Sequence, residues 1–190
     1  MRVVITGATG AIGHALIAEC IKQNIEVLAI CHRGSQRAGM LVDEVGRMLQ
    51  SKRVGLDCEF PNCESSNEQL LNRETLDRLI KIEYLNLDEY ATGLPSMPYD
   101  IFFHMAWSGT TGASRNDEAL QQQNAAYSLD AVRLAKKLGC HTFVFAGSQA
   151  EYGRVEGKLT ADTPTYPEMN TASTSCKPER QPGHFVKAFP

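Results

Sequence analysis

The sequence contains no apolar run of the length that crosses a bilayer, which takes roughly 20 residues, and it has no surplus of basic charge. Its 190 residues include 19 lysines and arginines against 22 acids, which gives a net charge of −3. Nothing in this balance predicts nucleic acid or an anionic membrane as a partner. Met1 is followed at once by the strand-like run Arg2-Val3-Val4-Ile5-Thr6, which leaves no room for a signal peptide, so we expect a cytoplasmic protein.

Cysteine is present, but its spacing does not favour a metal site. Of six cysteines, Cys20 and Cys31 lie in predicted helix or strand, where a thiol acts as a small apolar group. Cys58 and Cys63 have four residues between them and no second pair or nearby histidine. Because structural zinc takes four ligands, we predict no metal. Disulfides are not expected in a cytosolic protein.

Strand-like and helix-like segments alternate along the chain, which is typical of a parallel sheet covered by helices. The predicted strands are residues 2–6, 25–31, 79–85, 100–106 and 141–146. The predicted helices are residues 11–23, 40–50, 67–79 and 116–138. The spacing predicts a buried stripe on each of two helices: Ile12, Leu16 and Cys20 on the first, and Ala125, Leu129 and Val132 on the last.

A glycine-rich turn joins the first strand to the first helix. Gly7 permits a tight turn, Gly10 lets the backbone approach a pyrophosphate, and Gly13 lets the helix pack closely against the strand. The helix N-terminus offers free N–H groups to phosphate. The alternative is a plain strand-to-helix turn. The predicted cofactor-binding residues of this turn are Gly7, Thr9, Gly10, Ala11, Ile12 and Gly13.

The end of the second strand bears on the choice of dinucleotide. NAD-binding proteins of this kind place Asp or Glu there to accept from the ribose 2′-OH. Residues 29–37 hold no carboxylate but do contain Arg33, Ser35 and Arg37, which suit a 2′-phosphate. We therefore favour NADP over NAD, with Arg33 as a contact. The alternative, that both arginines are solvated loop charges, stays open.

The motifs resemble the extended short-chain dehydrogenase/reductase family, also called the NAD-dependent epimerase/dehydratase family. The Gly-x-x-Gly-x-x-Gly spacing after Thr6 is one match. Residues 100–107 resemble the family's fourth-strand segment, Asp-x-x-x-His-x-Ala. The resemblance implies that the cofactor passes over Ala106, and that Asn124 lies near the active site. His104 by itself is more typical of a core histidine.

Residues 143–153, Phe-Val-Phe-Ala-Gly-Ser-Gln-Ala-Glu-Tyr-Gly, resemble the family segment that carries a catalytic Ser or Thr four residues before Tyr-Gly. Ser148 occupies that position, and the resemblance implies that its hydroxyl binds the substrate oxygen. The likeness covers residues 1–169, a Rossmann-type doubly wound parallel sheet that is incomplete at its C-terminal side. Residues 40–78 look partly like an insertion, since the family connects these strands more briefly.

The family's Tyr-x-x-x-Lys pair is absent, because none of the six tyrosines has a lysine four residues later. Residues 170–190 look like an irregular tail with no helical or strand period. Asn170 to Lys177 can be encoded by AAT ACG GCA TCA ACA AGC TGC AAG. Read two bases later, this string gives Tyr-Gly-Ile-Asn-Lys-Leu-Gln, which contains the missing pair. We therefore expect an out-of-frame tail on a truncated family member that is weak or inactive and of marginal stability.

The resemblance implies an NAD(P)-dependent epimerase, dehydratase or reductase that acts on a nucleotide-linked sugar, with a possible homodimer in the full-length parent. One alternative is a dinucleotide-binding sensor or scaffold without catalysis. Another is an atypical reductase of the same superfamily, against which the segment from Ser148 to Gly153 argues. A structural protein that binds no dinucleotide is the last alternative.

Overall fold

A computed structural model gives the architecture of the chain. It describes residues 1–54, 73–92, 94, 97–160 and 162–166, together with the backbone of 186–188. The described residues contain six strands, which form one sheet: β1 (Arg2–Thr6), β2 (Glu26–Cys31), β3 (Ile80–Tyr84), β4 (Ile101–His104), β5 (Thr142–Phe145) and β6 (Val186–Ala188). The same residues form four α-helices: α1 (Ala11–Lys22), α2 (Leu41–Val54), α3 (Arg73–Leu79) and α4 (Glu118–Lys137).

The sheet has the order β3-β2-β1-β4-β5-β6, and its first five strands run parallel. The predicted Rossmann-type doubly wound fold is therefore confirmed. The chain passes from β1 to β2 on one side and returns to β4 on the other, so the winding reverses between β1 and β4. Open sheets of this type bind ligands at that reversal, outside the carboxyl ends of the strands.

Both faces of the sheet are buried, and the central strands accordingly contain continuous apolar runs, Val3–Ile5 in β1 and Val27–Cys31 in β2, rather than an alternating pattern. On β1, Val3 and Ile5 pack into the core under α1 and α2, while Val4 packs into the core under α4. On β2, Ala29 packs into the core under α1 and α2, and Ile30 packs into the core under α4. Each fully buried aliphatic side chain contributes about 1.5–3 kcal/mol, so these strands anchor the whole sheet.

Helix α4 begins at Glu118, two residues after the predicted start at Asn116, and ends at Lys137, one residue before the predicted end at Leu138. The Asp117 carboxylate accepts from the Leu120 N–H at 3.1 Å and caps the first turn. Gly139 follows the C-cap with a φ of +77°, a left-handed conformation that ends helices and favours glycine. The predicted stop at Gly139 is confirmed.

The predicted buried stripes are partly wrong. Ile12 is 65% exposed, because Gly13 and Ile17 are the residues of α1 that turn inward. On α4, Leu129 is 49% exposed. The buried face of α4 instead contains Gln121, Asn124, Ser128, Ala131, Leu134 and Ala135. Its first half is polar because it packs on a loop rather than on the sheet.

Several expectations fall on residues 55–72 and 167–185, outside the described part of the chain. These include Cys58, Cys63, much of the proposed insertion at 40–78, and most of the tail. The expectation that the tail has no strand is wrong for Val186–Ala188, which pairs antiparallel with β5. Within the described ranges, no helix is long and apolar enough to span a membrane.

Candidate functional site

Three strand ends lie side by side at the carboxyl edge of the sheet. The register aligns Thr6 of β1 with His104 of β4, and His104 with Phe145 of β5. The glycine turn, the segment containing Ala106 and the segment containing Ser148 follow these three ends directly. The fold therefore brings the three predicted motifs, distant in sequence, to one edge of the sheet.

The glycine turn lies close to the backbone that directly follows β4, the strand beside β1 in the sheet. Gly7 has a φ of +66°, and a Cβ there would lie 2.8 Å from the carbonyl carbon of Met105. A Cβ on Gly13 would lie 2.4 Å from the Gly7 carbonyl oxygen, which no side chain could tolerate. The Gly10 N–H donates to that same oxygen at 2.9 Å. Glycine is thus required at Gly7 and Gly13 for the turn to close.

The N-terminus of α1 opens onto this edge. Its N-cap is Gly10, which offers no side-chain cap, and its first turn contains no acid. Ala11 and Ile12 are exposed there, while Thr9 is half-buried. The helix therefore presents uncapped N–H groups and a positive dipole end, which is the arrangement that binds phosphate.

A directed chain of hydrogen bonds runs behind the turn. The Thr6 hydroxyl accepts from the N–H groups of Met105 and Ala106 at 3.1 and 3.2 Å. It lies 2.9 Å from His104 Nδ1, and His104 Nε2 lies 3.2 Å from the Ser128 hydroxyl. Ser128 itself donates to the Asn124 carbonyl at 2.9 Å. Because the Ser128 hydroxyl donates its only proton to the Asn124 carbonyl, it accepts from His104 Nε2–H. His104 Nδ1 is then unprotonated and accepts from the Thr6 hydroxyl.

His104 is a structural histidine, as its strand position predicts. It is 1% exposed and lies between Tyr90, edge-on at 6.0 Å, and Phe145, stacked at 5.7 Å. Burial lowers the pKa of His104 to about 4, so the ring stays neutral near pH 7. A neutral ring is what the hydrogen-bond chain requires.

Asn124 holds the loop that follows β4. Its Oδ1 accepts from the Ser108 N–H at 3.1 Å, and its Nδ2 donates to the Ser108 carbonyl at 2.8 Å. It is 2% exposed. The structure thus shows Asn124 positioning backbone, whereas its predicted part in cofactor binding stays a prediction.

Gln121 is a functional residue that sequence reasoning missed. It is fully buried, and its Oε1 accepts from the Trp107 indole N–H at 2.8 Å. Its Nε2 donates to the carbonyls of Gly109 and Ser114 at 3.3 and 2.8 Å. The signal was a polar residue three positions before Asn124, since residues at i and i+3 share a helix face.

Arg33 is ion-paired. Its Nε and Nη2 donate to the Glu89 carboxylate at 2.8–3.0 Å, and its side chain is 54% exposed. Hydrogen bonding to Glu89 raises the pKa of Arg33, and the same bond is the main cause that lowers the pKa of Glu89. Both groups are therefore charged at neutral pH. Glu89 follows β3, so no local pattern pointed to this pair.

Arg37, the second predicted cation, lies in a looser cluster. Its Nη2 is 3.5 Å from Glu44 and 3.5 Å from His14 Nδ1. The Glu44 carboxylate is 3.2 Å from His14 Nε2 but is not aligned for a hydrogen bond. Burial lowers the pKa of His14, and Glu44 opposes that shift. Ser35 of the same loop donates to the Thr9 hydroxyl at 3.4 Å, which brings this loop beside the glycine turn.

Ser148 follows β5 and immediately precedes the short helical turn Gln149–Tyr152, and its carbonyl accepts from the Glu151 N–H at 3.0 Å. In the Tyr152–Gly153 pair, the backbone conformation requires the glycine. That residue has a φ of +65°, and a Cβ there would lie 2.3 Å from the Tyr166 carbonyl oxygen. Gly153 thus lets the chain after β5 fold back closely on itself. The catalytic assignment of Ser148 stays a prediction.

Metal-binding side chains do not gather in the part of the chain that the structure describes, where no group of three or more His, Cys, Asp or Glu could hold an ion. The described cysteines, Cys20, Cys31 and Cys140, are buried free thiols. Burial raises the pKa of Cys31 to about 11, so this thiol is protonated at neutral pH.

The solved structures with the same fold include epimerases of nucleotide sugars. A UDP-galactose 4-epimerase matches with a TM-score of 0.61 and 19% identity, over 93% of this chain and 48% of that chain. The UDP-glucose-4-epimerase from Stenotrophomonas maltophila, with bound NAD and formylated UDP-arabinopyranose, matches with a TM-score of 0.63 and 17% identity, over 92% of this chain and 45% of that chain. The UDP-glucuronic acid 4-epimerase from Bacillus cereus, in complex with NAD, matches with a TM-score of 0.60 and 18% identity, over 92% of this chain and 49% of that chain.

At these identities the structural matches show the fold alone, and the chain spans about half the length of the proteins it matches. Comparison with curated proteins gives no match. A family model matches residues 3–175, a range that includes the glycine turn, the segment at Ala106 and the segment at Ser148. The chain therefore belongs to the NAD dependent epimerase/dehydratase family.

Proposed function

We propose that this chain binds a nicotinamide dinucleotide across the carboxyl ends of β1 and β4. The observation that carries the proposal is the glycine turn, closed against Met105 and followed by an uncapped, acid-free helix N-terminus. Backbone N–H groups there suit a pyrophosphate, and exposed Ile12 at the same end provides apolar contact. These residues fit the cofactor that the family name implies. When bound, the nicotinamide accepts and returns hydride.

A charge placed in the first turn of α1 tests this proposal. Ala11→Glu is expected to abolish dinucleotide binding through repulsion of the pyrophosphate. The same charge favours the positive helix end, so the fold should be kept or slightly stabilised. Ala15→Glu, at an exposed position one turn later, is the matched control and should bind almost normally. Calorimetric titration with NAD and NADP gives the affinities. Equal binding by both variants would refute the site.

The proposed substrate is a nucleotide-linked sugar, because the matching structures are UDP-sugar epimerases. Ser148 would hydrogen-bond the substrate oxygen at which hydride is removed or added. The proton at that oxygen needs a general base, and the family's Tyr-x-x-x-Lys pair is missing from these 190 residues. We therefore propose binding with weak or no turnover, which an assay with UDP-glucose and UDP-galactose would test.

The missing pair has a proposed cause in the reading frame of the gene. Residues after about Asn170 are proposed to be an out-of-frame translation, since the codons allow Tyr-x-x-x-Lys two bases on. Sequencing the gene across codons 160–200 decides the matter. An open alternative frame with that motif supports an ordinary enzyme as the parent. Codons that exclude the motif refute the idea.

A dinucleotide-binding sensor or scaffold is the second candidate. The absent Tyr-x-x-x-Lys pair favours it, because a chain without the general base can still bind cofactor. Tight binding of NAD or NADP, with no turnover of any nucleotide sugar and an in-frame stop in the gene, would support this candidate. Turnover by the 190-residue chain would exclude it.

The preference for NADP over NAD is proposed on Arg33 and Arg37, with no acid at the end of β2. Both guanidinium groups carry a carboxylate partner, so the preference should be modest. Competing titrations with both dinucleotides at one ionic strength measure it, since phosphate contacts weaken as salt rises. Tighter binding of NAD would overturn it.

A homodimer of the full-length protein and a cytoplasmic location are also proposed. Leu129 on α4 is the proposed dimer contact, since 49% of this leucine is exposed. In the full-length protein, Leu129→Lys should shift sedimentation from dimer to monomer. Cell fractionation of the full-length protein tests the location.

A further inference from the structure

The end of β2 has no carboxylate of its own, but a carboxylate from a neighbouring segment pairs with an arginine in the loop that follows β2. Glu89 lies in the short helical turn Leu87–Glu89 after β3 and meets Arg33 two residues beyond the end of β2. The contact is bidentate, with Nε and Nη2 of Arg33 at 2.8–3.0 Å from the carboxylate oxygens. A side-by-side pair of this kind fixes the plane of the guanidinium as well as its place.

The pair is held from both sides by backbone. Glu89 Oε2 also accepts from the Asn86 N–H at 2.7 Å, and Asn86 Oδ1 accepts from the Arg33 N–H at 3.1 Å. Glu89 is thus oriented by a contact that does not involve the Arg33 side chain. The hydrogen bond to Arg33 and that to Asn86 both lower the pKa of Glu89, which keeps its charge at neutral pH.

The pair lies where a dinucleotide would be distinguished. The loop that holds Arg33 reaches the glycine turn through the Ser35–Thr9 contact at 3.4 Å. In Rossmann folds the residues after the second strand meet the ribose 2′ position. Glu89 already occupies the hydrogen-bond donors of Arg33 that a 2′-phosphate at this position would use. The carboxylate of Glu89 would also repel that phosphate.

We propose that Glu89 is a specificity-determining residue, which lowers the affinity for a 2′-phosphate by pairing with Arg33 and so brings the affinities for NADP and NAD closer together. The proposal rests on dinucleotide binding at this site. It explains how a β2 end without an acid can still limit the preference for NADP. NAD has no charge at the 2′ position, so Glu89 should affect it little.

Glu89→Gln tests the proposal, because glutamine keeps an oxygen for the Asn86 N–H while it removes the charge. This variant should bind NADP about tenfold more tightly, with NAD changed by less than about twofold. Asp88→Asn is the matched control, since it removes one charge from the adjacent exposed residue. An unchanged NADP-to-NAD ratio in Glu89→Gln, or an equal shift in Asp88→Asn, would overturn the inference.

A double-mutant cycle with Arg33→Ala shows whether Glu89 acts through Arg33. In the Arg33→Ala background the gain from Glu89→Gln should shrink to about twofold, since only direct repulsion of the phosphate remains. A gain as large as in the wild-type background would overturn the pairing mechanism. If the wild-type chain binds neither dinucleotide, the proposed function fails and this inference fails with it. If it binds both and Glu89→Gln has no effect, only this inference fails.

Discussion

The side chain of Asn124 hydrogen-bonds both backbone groups of Ser108, accepting from its N–H at 3.1 Å and donating to its carbonyl at 2.8 Å. This contact joins α4 to the loop after β4. The loop lies next to Ala106, whose N–H is in turn bound by Thr6. Buried polar groups on α4 and β1 therefore help to set the position of this loop.

Asn124→Ala should lower the free energy of unfolding by about 2–4 kcal/mol, because it leaves two backbone groups of Ser108 without partners. Denaturant unfolding measures the change. Gln123→Ala is the matched control, since Gln123 is an exposed neighbour on the same helix and should change stability by less than about 0.5 kcal/mol. Equal losses in the two variants would contradict the loop-holding role.

Thr6→Val should cost more than Thr6→Ser, although valine has the shape of threonine. Valine removes the acceptor for two backbone N–H groups and the donor to His104, which should cost roughly 3 kcal/mol or more. Serine keeps the hydroxyl and loses one methyl group, at about 1 kcal/mol. Urea unfolding of both variants gives the comparison. A smaller loss in Thr6→Val would show that the hydroxyl is dispensable.

Gly13→Ala should destabilise the chain by more than about 2 kcal/mol, because its Cβ would overlap the Gly7 carbonyl oxygen at 2.4 Å. Opening the turn to admit the methyl group should also abolish binding of NAD and NADP. Gly39→Ala is the matched control, since a Cβ there meets nothing within 4 Å. Thermal unfolding and calorimetry measure both effects. Normal dinucleotide binding by Gly13→Ala would contradict the role of a closed turn.

The sequence alone predicts the parts of this fold that depend on neighbouring residues. The β1–α1 turn is one example, because Gly13 is required by its contact with the Gly7 carbonyl oxygen, six residues earlier. The strands are another, because β1 and β2 each contain a continuous apolar run, Val3–Ile5 and Val27–Cys31. The stop of α4 at Gly139 is a third, since one residue in a left-handed conformation determines it.

Helix rotation and charge pairing could not be predicted in the same way. The periodicity of α4 favoured Leu129 as buried, but Gln121 and Asn124 face inward because a loop needs their hydrogen bonds. Arg33 was interpreted from β2 alone, whereas its partner Glu89 arrives from 56 residues away. Such contacts depend on the folded sheet, so no short window of sequence contains them.

The stability of the chain should rise with pH between about 4 and 6.5, and His104 should be the main cause. The pKa of His104 is lowered to about 4 in the fold, against 6.5 for an ordinary histidine. Between these values the unfolded chain binds a proton that the folded chain does not, so acid favours unfolding. The stabilisation from keeping His104 neutral is complete above about pH 6.5 and decreases as the pH falls towards 4, by roughly 3 kcal/mol in total.

Urea unfolding at several pH values checks this expectation. His14, whose pKa is also lowered by burial, adds a slope of the same sign, so the contribution of His104 has to be isolated. His104→Asn removes the titrating group from the chain of hydrogen bonds between Thr6 and Ser128. This variant should be less stable at pH 7, and its stability should fall less steeply from pH 6.5 to pH 4. His14→Asn, at a second histidine that is buried among the described residues, should retain most of the wild-type slope. If His104→Asn kept the full slope, the histidine would not be the group that titrates on unfolding.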